Sequence, residues 1–262
     1  MIRWVVKRDG RIEAFDISKL VRTLTCCLSV ESALQVAAAV RDTMQERVSS
    51  HDLYRAVRSE LWRRHPAAAV RFGLREDIMK LGPAGHNFED FYARLLTELG
   101  YRNVRIRQSR RGRCVVHELD VVFEGSSGPE FAEMKYHNDF GIYTGLKEAM
   151  YTYMRFIDLR DAGEAFAGVQ LVTNTKVSPD AVAFSECRGM KVIAWKYPRS
   201  GGLELMIERT GLYPITSLSE ILGNGEVSGL IQRGIVTIKD FVISYKRGEL
   251  GPQYERAYAI AS

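Results

Sequence analysis

At 262 residues the chain can hold one large domain or two to three small ones, and its 46% apolar content excludes wholesale disorder. No apolar run reaches membrane-spanning length, and the opening Met1-Ile-Arg-Trp-Val-Val-Lys7 is too short and too interrupted for a secretion signal. The four cysteines, Cys26, Cys27, Cys114 and Cys187, show no C-x-x-C spacing, which leaves a zinc ribbon unsupported and points to reduced thiols in a cytoplasm. The net charge of +5 is modest, and its placement says more than its size. Residues 1–82 carry 15 Lys and Arg against 10 Asp and Glu; residues 83–200 carry 16 against 15, and residues 201–262 carry 6 against 7. No repeat or low-complexity tract stands out.

Asp9-Gly10 separates two strand-like runs, 3–8 and 11–15, which is a two-residue hairpin signal. Asp16 is placed to N-cap a helix to about residue 28. A second helix is expected over 31–46, with Leu34, Ala38 and Met44 among its buried candidates. Ser50 or His51 opens a third, where Leu53, Val57 and Leu61 stand at helical spacing. Pro66 starts a fourth, carrying Val70, Leu74 and Ile78 to Leu81.

Val5-Val6-Lys7-Arg8-Asp9-Gly10-Arg11, with Phe15, Asp16, Lys19-Leu20 and the helices up to Leu81, resembles the ATP-cone, a nucleotide-binding module. The resemblance covers residues 1–82. It implies that Lys7, Arg8 and Lys19 face the phosphates of ATP or dATP. The chemistry agrees, because three cations around a turn and a helix start can hold a triphosphate; the alternative is a hairpin with solvated basic residues. No G-x-x-x-x-G-K-[ST] stands in the chain, so ATP is expected as a ligand and not as fuel.

Gly82-Pro-Ala-Gly85 is a breaker cluster and an expected boundary. Asn87 is placed to cap a helix with Phe88, Phe91, Leu95, Leu96 and Leu99 on its apolar face. A strand over 104–108 and a basic turn at 110–113 follow. The stretch 114–124 alternates, with Glu118 and Asp120 on one face, and 130–137 alternates with Phe131, Glu133, Lys135 and His137 on one face. The turn chemistry of 125–129 joins them as a hairpin, which brings Asp120 beside Glu133 with Lys135 two residues on. Two carboxylates with a lysine suit a hard divalent cation working on a phosphodiester; the bland alternative is a cross-strand ion pair. Helices over 145–159 and 179–187 and strands over 167–173 and 190–195 complete this part.

That order is similar to the core of the PD-(D/E)xK nuclease superfamily, and most to Mrr-type restriction endonucleases and archaeal Holliday-junction resolvases. The residues behind it are Asn87-Phe88-Glu89, Leu99-Gly100-Tyr101, His117-Glu-Leu-Asp120, Glu133-Met-Lys135 and Leu171-Val-Thr-Asn174; Leu119 stands where the motif has proline. The resemblance implies an αβββαβ(αβ) core with a mixed sheet over residues 83–200. It makes Asp120, Glu133 and Glu89 ligands of magnesium or manganese, with the Met134 carbonyl as a further ligand, and Lys135 the catalytic lysine. Glu118 is either a supporting acid or a surface charge, and His117 faces away from Asp120. His137 is a candidate substrate contact. Lys147 and Arg155 either approach a phosphate or sit in solvent. Arg107, Arg110, Arg111 and Arg113 suit a DNA backbone.

After a linker at 199–202, residues 203–208 read as a strand and 217–222, 227–233 and 238–245 as short helices. Leu230 to Phe241 resembles one half of a helix-hairpin-helix; a packing or dimer element over 201–262 fits as well, and the last dozen residues are expected to fray. The expected whole is an α/β multidomain protein and a homo-oligomer. It acts as a metal-dependent DNA endonuclease regulated by ATP or dATP; the alternative is a non-cleaving, nucleotide-sensing DNA-binding regulator.

Overall fold

Gly10 stands at φ 83°, a turn conformation that glycine reaches without steric cost. Around it Lys7 N–H donates to Arg11 O at 2.8 Å, and strands β1 (Trp4–Val6) and β2 (Ile12–Ala14) pair antiparallel. This computed structural model describes residues 2–7, 9–82 and 85–262, so Arg8 and the breaker residues Pro83 and Ala84 lie outside the described residues. The chain divides into two units, Met1–Leu74 and Arg75–Ser262.

In the first unit Asp16 caps helix α1 (Ile17–Leu24) by accepting from Ser18 N–H at 2.9 Å. Helix α2 spans Val30–Thr43 and α3 spans Ser50–Arg64, capped by the Ser29 and Ser49 hydroxyls. A third strand, β3 (Arg47–Ser49), lies parallel to β1 and gives the order β2-β1-β3. It is absent from the sequence reading because three residues with one inward side chain, Val48, show no periodicity. Leu34, expected inside, is 49% exposed; Ala33, Val36, Ala37 and Val40 form the buried stripe of α2 instead. The division between the units falls inside α4 (Pro66–Ile78).

The second unit is built on a five-stranded sheet. Helix α5 (His86–Glu98) precedes β4 (Arg102–Arg111), β5 (Val116–Gly125) and β6 (Gly128–Lys135), which pair antiparallel in sequence. Strand β7 (Tyr143–Thr144) and helix α6 (Leu146–Asp161) lead to β8 (Gly168–Thr173), parallel to β6. Strand β9 (Lys176–Val177) pairs with β7, and α7 (Pro179–Cys187) leads to β10 (Lys191–Ile193), parallel to β8. The order is β10-β8-β6-β5-β4. Phe131, Val169, Leu171 and Val192 pack with Ala149, Phe156 and Leu159 of α6 and Ala181 of α7. Buried apolar area is the main stabilising term here, at roughly 25 cal/mol per Å². Asn87 does not cap α5; Gly85 stands at the cap, and the Asn87 amide donates to Leu81 O at 2.6 Å.

Residues 203–208 form a helix and not a strand. In α8 (Leu203–Thr210) the buried Leu203, Met206 and Ile207 stand at i, i+3, i+4, and Gly211 ends it at φ 65°. The same residues also alternate weakly, which is why they resemble a strand in sequence. A 3-10 turn (Ile215–Leu218) and helices α9 (Ser219–Leu222), α10 (Asn224–Gln232) and α11 (Ile238–Lys246) follow. Two turns in this region pair with each other. Gly211-Leu-Tyr-Pro-Ile215 and Gly234-Ile-Val-Thr-Ile238 are equivalent turns after helices, and they bond to each other: Ile215 N–H to Val236 O at 3.0 Å, Ile238 N–H to Tyr213 O at 2.9 Å. The C-terminal dozen residues are ordered as a 3-10 turn (Pro252–Tyr254) and α12 (Glu255–Ala261), with Tyr254 OH donating to Glu226 at 2.5 Å and Tyr258 stacked on Tyr245. Among the described residues no helix is long and apolar enough to cross a membrane, and all four cysteines are free.

Candidate active site

The β5–β6 ladder runs to Val121↔Ala132, so Asp120 and Glu133 are the next facing positions, where the two strands part. There the backbone is held by a side chain: Met134 N–H donates to Asp120 Oδ2 at 2.7 Å. Lys135 Nζ donates to Glu133 Oε1 at 2.8 Å. Glu133 is buried, and its other oxygen accepts from Arg155 of α6, which also donates to the Glu118 carbonyl. Arg155 is thus neither solvated nor open to a phosphate. It is buried, and its Nε has no hydrogen-bond partner.

Glu89, in the first turn of α5, is also buried. Its Oε2 accepts from Arg107 Nη1 at 3.1 Å and lies 3.4 Å from His86 Nδ1. Burial, then the charge of Glu133 and also that of Glu89, push the Asp120 carboxyl up to about 7, against the opposing pull of Met134 N–H and Arg155. Three of the sequence-derived acids therefore share one electrostatic site with Lys135. Among the described residues no group of three or more His, Cys, Asp and Glu is disposed to hold a metal ion.

The remaining candidates fall elsewhere. His117 turns away from Asp120 and meets Asp158 Oδ2 at 2.8 Å. The Glu118 side chain is exposed. His137 braces the strand exit: its N–H donates to Asn174 Oδ1 at 2.8 Å and Nε2 lies 2.9 Å from Thr144 Oγ1. Burial, with the Lys135 charge, holds its imidazole below the ordinary value. Arg111 and Arg113 are exposed, Arg110 is half-buried, and Arg107 is spent on Glu89 and Asp90. Sequence reasoning missed the part Arg155 plays, although a signal existed. It falls within the stripe Ala149, Thr152, Phe156 and Leu159 that α6 buries.

In the first unit Lys7 and Lys19 line one small cavity of about 180 Å³ with Glu13, Asp16 and Ser50. Glu13 Oε2 lies 3.2 Å from Lys7 Nζ and 3.9 Å from Lys19 Nζ. The third sequence-derived cation, Arg8, lies outside the described residues.

Residues 3–75 match the family model of the ATP cone domain. They form an ATP-cone domain, a nucleotide-binding module. An uncharacterized protein of Archaeoglobus fulgidus (strain ATCC 49558 / DSM 4304 / JCM 9628 / NBRC 100126 / VC-16) is 41% identical over 150 residues, which make up 57% of this chain and 83% of that protein. This chain belongs to the same family as that archaeal protein. The crystal structure of AF1548, a protein of unknown function, matches with a TM-score of 0.56 at 36% identity, over 68% of this chain and 95% of that one. Over that part of the chain the fold is shared with a solved structure. MspJI restriction endonuclease, in complex with a 27-mer oligonucleotide, matches with a TM-score of 0.35 at 14% identity, over 64% of this chain and 36% of that one, a likeness too slight to bear on fold or chemistry.

Proposed function

We propose that residues 83–200 act as a metal-dependent DNA endonuclease, with ATP or dATP on the ATP-cone domain as regulator. The observation that carries this is the meeting of Asp120, Glu133 and Lys135 where β5 and β6 part, with Lys135 Nζ 2.8 Å from Glu133. The order of one helix, three antiparallel strands, a helix and a parallel strand supports it through its similarity to the PD-(D/E)xK core. The donor set fits magnesium or manganese. Asp120 and Glu133 are hard oxygen donors, and two carboxylates with water and phosphate suffice. Burial and then their mutual repulsion raise the Asp120 carboxyl, and a divalent charge would relieve that repulsion.

Asp120 and Glu133 would hold the ion, and Glu89, here bound by Arg107, would join them only once that contact is released. When bound, the ion supplies acidification of water and charge stabilisation at the phosphodiester. Lys135 orients the attacking water and stabilises charge on the phosphoryl oxygens. The Met134 amide fixes the Asp120 carboxylate, and Arg155 fixes Glu133. Arg110, Arg111 and Arg113 grip the backbone without reading bases. A homo-oligomer belongs to the same proposal, and sedimentation of the full chain by analytical ultracentrifugation tests it.

The test is magnesium-dependent cleavage of plasmid, linear, single-stranded and branched DNA, with and without ATP, beside Lys135→Ala. We expect cleavage in the parent and a loss of roughly 100-fold or more in the variant, the scale of removing one preorganised charge stabiliser. Equal cleavage by both overturns the assignment. A second reading, a non-cleaving nucleotide-sensing DNA-binding regulator, is favoured by one observation: both oxygens of Glu133 are already bound by Lys135 and Arg155. Retained DNA binding with no cleavage of any substrate selects it.

A further inference from the structure

Arg107 stands where two anions can claim it. The pairs Ile106↔Val121 and Gln108↔Leu119 place it across from Asp120 on the neighbouring strand. Its backbone enters the left-handed region at φ 49°, which is unfavourable for a residue with a Cβ. That conformation accompanies a guanidinium turned toward α5, where Nη1 donates to Glu89 at 3.1 Å and Nη2 to Asp90 at 2.9 Å. Arg155, the other arginine on the acid cluster, is walled in, with 9% of its side chain exposed; Arg107 keeps 32%. Arg107 also lines a groove of about 550 Å³ between α5, β4 and α11, with Arg105, Arg94 and Lys239 along it. Arg94 and Lys239 are committed to Asp240 at 2.7 Å and Glu98 at 2.5 Å. Arg105 is exposed and makes no ion pair among the described residues.

We infer that Arg107 is shared between Glu89 and a backbone phosphate of the DNA strand, so that a strand lying in this groove releases Glu89 to the cation and couples DNA binding to metal binding. The inference rests on the nuclease reading above and supplies the regulation of that site. Three carboxylates, Asp120, Glu133 and Glu89, face three protein cations, Lys135, Arg155 and Arg107. Asp90, which Arg107 also holds, is a fourth carboxylate, and beside these acids a divalent ion adds two positive charges. Moving Arg107 onto a phosphate offsets one of them and frees a Glu89 oxygen. A phosphate suits the exchange because a guanidinium binds it bidentately. Coupling of this kind is reciprocal, so metal tightens DNA binding by the factor that DNA tightens metal binding.

The test titrates manganese into the full chain by electron paramagnetic resonance, with and without a short duplex, in a Lys135→Ala background that keeps the DNA intact. We expect DNA to raise manganese affinity about tenfold or more. Adding Arg107→Gln gives a chain that binds manganese without DNA about as tightly as the Arg107 chain does with it, and in which DNA adds less than about twofold. Arg105→Gln serves as control, weakening DNA binding while keeping the coupling. An equal DNA-induced gain with and without the Arg107→Gln substitution overturns the inference and leaves the metal site standing. No manganese binding in any chain overturns both.

Discussion

In Arg75–Ser262 the carboxylates of Asp120, Glu133 and Glu89 gather around a strand parting and are met by Lys135, Arg155 and Arg107. In Met1–Leu74 the polarity is reversed: Lys7 and Lys19 gather around one carboxylate, Glu13. The two differ most in solvent. The side chains of Arg155 and Glu133 are 9% and 5% exposed, those of Lys7 and Glu13 both 39%. A buried pair is expensive to break, since the survivor is left charged and unsolvated; an exposed pair is screened and nearly neutral in free energy. The Arg155–Glu133 pair is therefore a fixed framework, whereas the exposed Lys7–Glu13 pair is cheap to separate.

The sharpest way to break this comparison is to remove one cation from each side. Arg155→Ala should lower stability by about 3–5 kcal/mol in urea denaturation, because Glu133 loses its buried partner. A change below about 1 kcal/mol would show that the pair is not buried in solution. Lys19→Ala or Lys7→Ala should leave stability within about 1 kcal/mol, yet weaken ATP binding by about tenfold in calorimetry, the worth of one charge-assisted hydrogen bond. Unchanged affinity in both would remove these lysines from the phosphate site. The smallest expected effect is in acid. The hydrogen bond from His117, with the Cys114 amide among its helpers, holds the Asp158 carboxyl well down, at about 2. Unfolded, it takes protons near pH 4, so the folded state binds fewer protons between about pH 4 and 2. Stability present above pH 4 is lost as pH falls through that window. Asp158→Asn should flatten that leg of a plot of Tm against pH, and an unaltered slope would dismiss the His117–Asp158 contact.

Much of the sheet was legible because its strands alternate. The facing of Asp120 and Glu133 followed from period two and the turn at 125–129. Short elements were not legible: β3, β7 and β9 have two or three residues each, too few to show a period. Leu203-Glu-Leu-Met-Ile carried both periods at once, and only packing decided between them. The acids could be named from their motif, but their counter-charges could not. Arg107 reaches Glu89 through a left-handed backbone that β-strand alternation does not foresee. Arg155 comes from a helix 22 residues beyond Glu133. The pairing of the turns at Gly211–Ile215 and Gly234–Ile238 was not legible either, because it rests on backbone hydrogen bonds between segments more than 20 residues apart.

Neither of those turns is complete alone. Ile215 and Thr237 are fully buried, and the amide of Ile215 finds its acceptor only at Val236, as that of Ile238 finds its own at Tyr213. A buried amide without a partner is costly, so each half is a poor structure until the other exists. Residues 203–246 should therefore form and melt as one cooperative unit, with amide hydrogens of both turns exchanging at a common rate. During synthesis the first turn waits for the ribosome to deliver the second, and a chain cut between them loses both.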